Sequence, residues 1–502
     1  MSRVRSQEVS RRSLVLGGLG LAGTAALAAC TGAPAHDGMA MGSGRPIGPV
    51  PPASPSPGQR VVTADLTAQP ATVDVGGRAV PTWTYGTQVP GPMIRATAGD
   101  FLRVTLDNRL PADTTVHWHG IRLRNAADGV PGVTQDPVAP GGRFVYEFTA
   151  PDPGTYFLHP HVGVQLDRGL HAPLVVDDPH EPGRYDHEWV LVLDDWIDGT
   201  GSTPDEVLAR LRVDGTSMGA THGGHPSMGM GGGGMSMGPA PWGDAGDVAY
   251  PLYLINGRSP VDPVTFTGSP GQRARLRVIN AASDTVFAVA LGGHRLTVTH
   301  TDGYAVAPTE AGAVYLGMGE RYDAVVTLGD GVFPLVAAPF GKTGRALALV
   351  RTGPGSAPGA DVAPAELSGD VLVGSSLRPA ESARLPRRSP DAAARLTLTG
   401  QMRPYQWGIN GAAYGMNTPL TVRAGQRLRI TVTNMTMMTH PVHVHGHTFA
   451  LVDSGLRKDT VLLGPMQSRA VDLEADNPGD WMAHCHNAYH AEAGMMILLR
   501  YQ

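Results

Sequence analysis

The sequence predicts an all-β protein of three β-domains of related design, from three observations: its length, a strand-like repeat, and a second spacing that recurs with it. At 502 residues and 42 % hydrophobic, the chain exceeds what one core fills and divides into roughly three units of ordinary domain size. The repeat runs from Gly99-Asp100 through Leu102, Val104 and Leu106 to Asn108. It returns from Gly271-Gln272 through Leu276 and Val278 to Asn280, and from Gly425-Gln426 through Leu428, Ile430 and Val432 to Asn434. In each copy the Asn stands nine positions after the Gly, and apolar residues alternate with Arg, Thr or Asp. A period of two is the pattern of a strand with one buried and one wet face. Domains are expected near residues 60–178, 186–352 and 393–502, with 353–392 as a linker.

The second spacing extends the repeat. Nine positions beyond each Asn stand His117-Trp118-His119-Gly120, Val289-Ala290-Leu291-Gly292 and His443-Val444-His445-Gly446. Five positions after Gly154, Gly331 and Gly479 come His159-Pro160-His161, Val336 with Ala338 two further on, and His484-Cys485-His486. The frame persists while the histidines vanish in its middle copy. The outer domains are therefore expected to share a metal site, with Val289, Leu291, Val336 and Ala338 in the corresponding places of a middle domain that acts as spacer.

Charge and the N-terminal region narrow the class. A net charge of −5 and a pI near 6.4, without a Lys/Arg stripe, exclude a nucleic-acid groove. Residues 1–30 read as an export address: Ser10-Arg11-Arg12 precedes an apolar run from Leu14 to Ala29, which at 16 residues is short for a membrane span. The segment resembles a twin-arginine signal, and Leu27-Ala28-Ala29-Cys30 resembles a bacterial lipobox whose cysteine is lipidated. Residues 31–59, rich in Ala, Gly, Ser and Pro, then form a flexible tether. The expected location is the cell envelope, with the protein lipid-anchored on the outer face of the cytoplasmic membrane, in the periplasmic space. Cys30 and Cys485 are the two cysteines, so a lipidated Cys30 leaves Cys485 a lone thiol.

Side chains at i and i+2 of a strand share a face, so each His-x-His pair presents two imidazoles together. Four pairs supply eight ligands, more than the four of a closed structural zinc site, and so fit a cluster of several metals. In His484-Cys485-His486 the thiolate projects to the face opposite its neighbours. With His440, His490 and Met495 it makes a His₂Cys set with an axial thioether, the ligand set of blue-copper electron-transfer sites.

These stretches, with His440-Pro441-Val442-His443-Val444-His445-Gly446 in one run, resemble the four copper motifs of multicopper oxidases. The chain as a whole resembles the actinobacterial, mycobacterial-type lipoprotein multicopper oxidases of the copper-tolerance and cuprous oxidase group. The resemblance implies three cupredoxin-like Greek-key β-sandwich or barrel domains and four copper ions. It implies type 1 copper on His440, Cys485 and His490 with Met495 axial, and type 2 copper on His117 and His443. The type 3 pair would take His119, His159, His161, His445, His484 and His486. Electrons would pass from type 1 copper through Cys485 to the cluster and reduce dioxygen to water. Asp128 resembles the acid that supplies protons after the first motif. Some relatives carry a relay Glu directly after the position of His490; here that place holds Ala491, and Glu492 beside it resembles the Glu of a laccase-like His-x-Glu-Ala-Gly run. His171, His180, His187, His294, His300 and His447 lack such framing and read as surface or structural.

Between Asp214 and Pro239 lie Met218, His222, His225, Met228, Met230, Met235 and Met237 among glycines, and Met39 and Met41 near His36 repeat the theme weakly. Thioethers select Cu(I), so the stretch 214–239 reads as a collector of cuprous ions similar to the Met-rich inserts of cuprous oxidases. Cu(I) is then the expected reductant, with small phenols and aromatic amines as a second class. The alternatives are a laccase acting mainly on organic phenols and a non-catalytic copper-binding lipoprotein. A two-domain nitrite reductase needs fewer repeats and fewer His pairs than are present.

Overall fold

The computed structural model describes residues 50–215 and 242–502. The export signal, Cys30, the tether up to residue 49, and Met218, His222, His225, Met228, Met230, Met235 and Met237 all lie outside the described residues. Within them, strands pair into six sheets, two to each domain. Strands between Val61 and Asp177 form two four-stranded sheets, and those between His187 and Leu372 form two six-stranded ones. Those between Ala392 and Tyr501 form one of six strands and one of five. Each pair encloses apolar side chains, Trp118, Tyr146 and Phe148 in the first and Trp481, Phe449 and Leu473 in the third.

The three repeats are the equivalent strands Phe101–Asn108, Arg273–Asn280 and Arg427–Asn434. Each pairs parallel with the strand that opens its domain and antiparallel with a later one. The conserved spacing has a physical cause at both ends. Gly99, Gly271 and Gly425 turn the chain at φ +92°, +82° and +82°, a region that L side chains rarely occupy. Asn108, Asn280 and Asn434 are fully buried and act as internal caps. Each accepts a backbone N–H two residues on, at 2.9, 3.0 and 2.9 Å, and donates its amide to carbonyls of the following segment and of a distant loop.

Three expectations need correction. The polar face of the middle repeat is not wet: Arg275 and Arg277 are buried against Asp323 at the junction with the first domain. The histidine frame also slips in the middle copy. His117 pairs with His159 and His443 with His484, but Val336 pairs with Ala290 instead of Val289. A one-residue slip exchanges the faces of a strand. Val289 and Leu291 consequently enter the main core, while Val336 packs with Leu347 and Leu349 on the other face, beside Ala338, Val362 and Leu367. Finally, residues 353–392 are more than a linker: Val362 and Leu367 cover that face, and Val371–Leu372 adds a parallel edge strand beside Ala313 and Val314.

A helix of three turns interrupts the all-β pattern among the described residues. Pro204–Asp214 starts from a capping box between Thr203 and Glu206, with Pro204 at its first position, and ends at Gly215 with φ +68°. It leads directly into the Met-rich stretch. Among the described residues no helix is long and apolar enough to cross a membrane.

Candidate metal centre

Strand Asp480–Cys485 carries the free thiol of Cys485 at its end and runs on into a one-turn helix, Ala488–Glu492. Asn487 caps that turn by accepting from the N–H groups of Tyr489 and His490 at 3.0 and 3.2 Å, which brings His490 back over the cysteine. Cys485 Sγ lies 3.5 Å from His440 Nδ1 and 3.7 Å from His490 Nδ1, and those two nitrogens are 3.1 Å apart. Both outer nitrogens are engaged: His440 Nε2 with the Thr436 hydroxyl at 2.7 Å and His490 Nε2 with Asp247 Oδ2 at 2.9 Å. The inner Nδ1 atoms of both rings are thereby turned toward the sulfur. Met495 is fully buried and its carbonyl accepts from the Cys485 N–H at 3.0 Å. Trp407 packs on His490 with ring centroids 4.0 Å apart.

The four His-x-His pairs meet where the first and third domains face each other. His117 stacks on His445 and His119 on His443, with centroids 3.7 and 3.8 Å apart. Imidazole nitrogens placed to hold a metal ion converge in three triads, His117–His119–His443, His119–His159–His486 and His161–His445–His484. Carbonyls hold the outer edges: Asp128 O for His117, Pro160 O for His159, Asp459 O for His443 and Cys485 O for His484, at 2.8 to 3.0 Å. Each of these bonds fixes an Nδ1–H and turns Nε2 inward. Nε2 of His117, His159 and His443 has no hydrogen-bond partner, and Nε2 of His445 faces Nε2 of His484 at 3.0 Å. Burial, reinforced by neighbouring imidazoles, holds His119, His159, His161, His445, His484 and His486 well below the usual histidine range, as it does His440. Burial also opposes charge on His490, yet Asp247 and the thiol raise it to about 10.

The two carboxylates singled out in the sequence fare differently. Asp128 is buried with Oδ2 3.0 Å from His445 Nδ1 and Oδ1 3.2 Å from His117 Nδ1, so it touches one imidazole of each outer domain. Its neighbour must be glycine: Gly129 has φ +81° and a Cβ there would run into the Val116 carbonyl. Glu492 instead points to Arg212 on the helix Pro204–Asp214, 3.6 Å away, half-exposed, in no contact with a cluster histidine. Among the described residues the remaining histidines do not join the centre. His180 is exposed, His187 and His300 are half-buried, and His447 is held by the His445 carbonyl and the Tyr501 hydroxyl. His294 bonds the Gly292 carbonyl, and buried His171 lies 3.7 Å from Asp194.

Sequence reading missed Thr436, Asp247, Asp459, Arg321 and Gly319. The middle domain is thus no mere spacer: a Cβ on Gly319 would lie 2.8 Å from His119 Cε1 and 2.9 Å from His486 Cδ2. The one signal was Lys458-Asp459 next to the apolar run Val461-Leu462-Leu463, charges that must be paired if the run carries them inside.

Unpartnered imidazole nitrogens aimed at one another in a buried pocket repel unless a cation lies between them. Imidazole and thiolate in these sets fit copper. Known proteins agree. Three family profiles, each described as multicopper oxidase, match residues 67–181, 232–355 and 387–502. The chain is 49 % identical to multicopper oxidase MmcO of Mycobacterium tuberculosis over 98 % of its length and 96 % of that protein. It is 29 % identical to a copper resistance protein A homolog of Pseudomonas syringae pv. tomato, covering 89 % and 94 % of the two chains. The crystal structure of a multi-copper oxidase from Pseudomonas thermotolerans superposes with a TM-score of 0.66 at 30 % identity, over 88 % of this chain and all of that one.

Proposed function

The chain belongs to the multicopper oxidase family, oxidoreductases that use oxygen, and from that premise we propose that it oxidises Cu(I) in the service of copper detoxification, with small phenols and aromatic amines as second donors. In this reading His440, Cys485, His490 and Met495 would hold type 1 copper, and His117 and His443 type 2. The triads His119–His159–His486 and His161–His445–His484 would hold the type 3 pair. These four copper ions supply one-electron redox chemistry and the four-electron reduction O₂ + 4 H⁺ + 4 e⁻ → 2 H₂O. Cys485 is joined through backbone to His484 and His486, so one strand end connects the donor side to the oxygen side. Asp128 Oδ2 accepts from His445 Nδ1 and is the proton-supplying carboxylate; Glu492, turned to Arg212, is left out of that role.

The observation that carries Cu(I) is a group of exposed thioethers on two adjoining loops, 435–439 and 464–467, at the start of the strand of His440. Met435, Met437 and Met466 are 51, 63 and 58 % exposed, whereas most large apolar side chains among the described residues are buried. Soft thioether sulfur selects cuprous ion. The chain leaving the Met-rich stretch returns at this spot: Trp242 O accepts from the Thr439 hydroxyl, and Gly243 packs on Pro465 and the Met437 carbonyl. Relatives named copper resistance protein A point the same way.

Oxygen uptake by copper-loaded protein tests the reading. Changing Met435, Met437 and Met466 to Leu, or deleting 218–237, should lower kcat/KM for Cu(I) by about tenfold or more while a phenol is oxidised within about twofold of the parent rate. Equal losses for both donors, or none, would reject Cu(I) collection, and turnover of phenols alone would make the protein a laccase. We further infer twin-arginine export and a lipid on Cys30. Cys30→Ala protein should leave the membrane fraction and appear in the soluble one; retention on membranes would reject the anchor.

A further inference from the structure

We propose that Arg321, from the domain without ligands, is a positioning residue for the copper cluster. This rests on the ligand reading above. Arg321 is fully buried, and its fork donates to both oxygens of Asp459, Nη1 to Oδ1 at 2.8 Å and Nη2 to Oδ2 at 2.6 Å. Two of its three remaining donors are also engaged, Nε on the Thr155 carbonyl at 3.0 Å and Nη1 on the Gly319 carbonyl at 2.9 Å. The guanidinium is thereby tied to the first domain, to its own turn and to the third domain at once.

Asp459 in turn addresses two imidazoles from different domains. Its Oδ1 lies 3.4 Å from His119 Nε2 and 3.5 Å from His443 Nδ1, and its backbone oxygen accepts from His443 Nδ1 at 2.9 Å. The Thr460 hydroxyl, which donates to Asp459 Oδ1 at 2.9 Å, sits 3.2 Å from His119 Nε2 and 3.1 Å from His443 Nδ1. Asp302 accepts the backbone N–H groups of both Asp459 and Thr460 at 3.3 Å, a second tie from the middle domain. The stacked pair His119–His443 is therefore gripped on its outer edge by Asp459 and Thr460, whose own positions depend on Arg321. Gly319, two residues before Arg321, closes the wall on His119 and His486 because it has no side chain.

A lysine at 321 keeps the charge and loses the fork, so Arg321→Lys isolates position from charge. In copper-loaded protein it should keep the blue type 1 absorption, change the type 2 electron paramagnetic resonance spectrum, and lower kcat by roughly ten- to a hundredfold with Cu(I) and phenol alike, at unchanged KM. A type 2 spectrum and kcat identical to wild type, with a lower thermal midpoint, would make Arg321 merely structural. Should Arg321→Lys protein lack blue colour, Thr460→Val decides: it removes a single hydroxyl from both imidazoles and must shift the same spectrum, and no shift overturns the proposal. Wild-type protein without any type 2 signal would instead overturn the ligand assignment itself.

Discussion

A buried imidazole whose Nδ1 proton is committed to a backbone carbonyl has one lone pair left, and the backbone fixes its direction. His117, His159, His443 and His484 are all held this way, so their readiness for a metal is built into strand ends, where carbonyls no longer serve a ladder. Cys485 differs: its sulfur has two imidazole nitrogens as neighbours and Met495 buried beside it. Cys485→Ser should abolish the blue absorption while the histidine triads still load copper, and Met495→Leu should raise the type 1 potential, measured by redox titration. An unchanged potential would show that Met495 is not the axial ligand.

Among elements, the two-residue period of strands explains why the His pairs were legible and where legibility stopped. Alternation predicts that His484 and His486 share a face and Cys485 opposes them, and the structure places the sulfur with His440 and His490, apart from the triads. The return of His490 over the cysteine depends on a helical turn of five residues capped by Asn487, too short to leave a 3.6-residue pattern. The slipped pairing of Ala290 with Val336 was equally hidden, since spacing along the chain does not record register across it. Helix Pro204–Asp214 does carry start signals, Thr203 with Glu206 and Pro204, but they stand isolated in a chain dominated by strands.

In the whole molecule, buried ion pairs stand at the domain junctions, and the one inside the middle domain, on Asp323 beside Thr155 of the first, bears on stability in acid. Burial would raise the Asp323 carboxyl, but Arg275 and Arg277, helped by His300 and the Thr155 hydroxyl, hold it below its ordinary value of 3.8. A depressed carboxyl stabilises the fold above its unfolded value and loses that contribution as pH falls toward the folded one. The melting temperature, followed by calorimetry, should therefore drop as pH falls below about 4, and Asp323→Asn should lower it at neutral pH while flattening that acid slope. Parallel slopes in the two proteins would refute this role. The sequence by itself determined the three-fold repeat, the donors and their absence from the middle domain, because each rests on spacing within one strand or between equivalent strands. Tertiary structure alone decided that Asp247 meets His490 across 243 positions, that Asp128 bridges to His445 across 317, and that Arg321 reaches Asp459 across 138. Such pairs leave no periodic trace, since what brings them together is the packing of one folded domain against another.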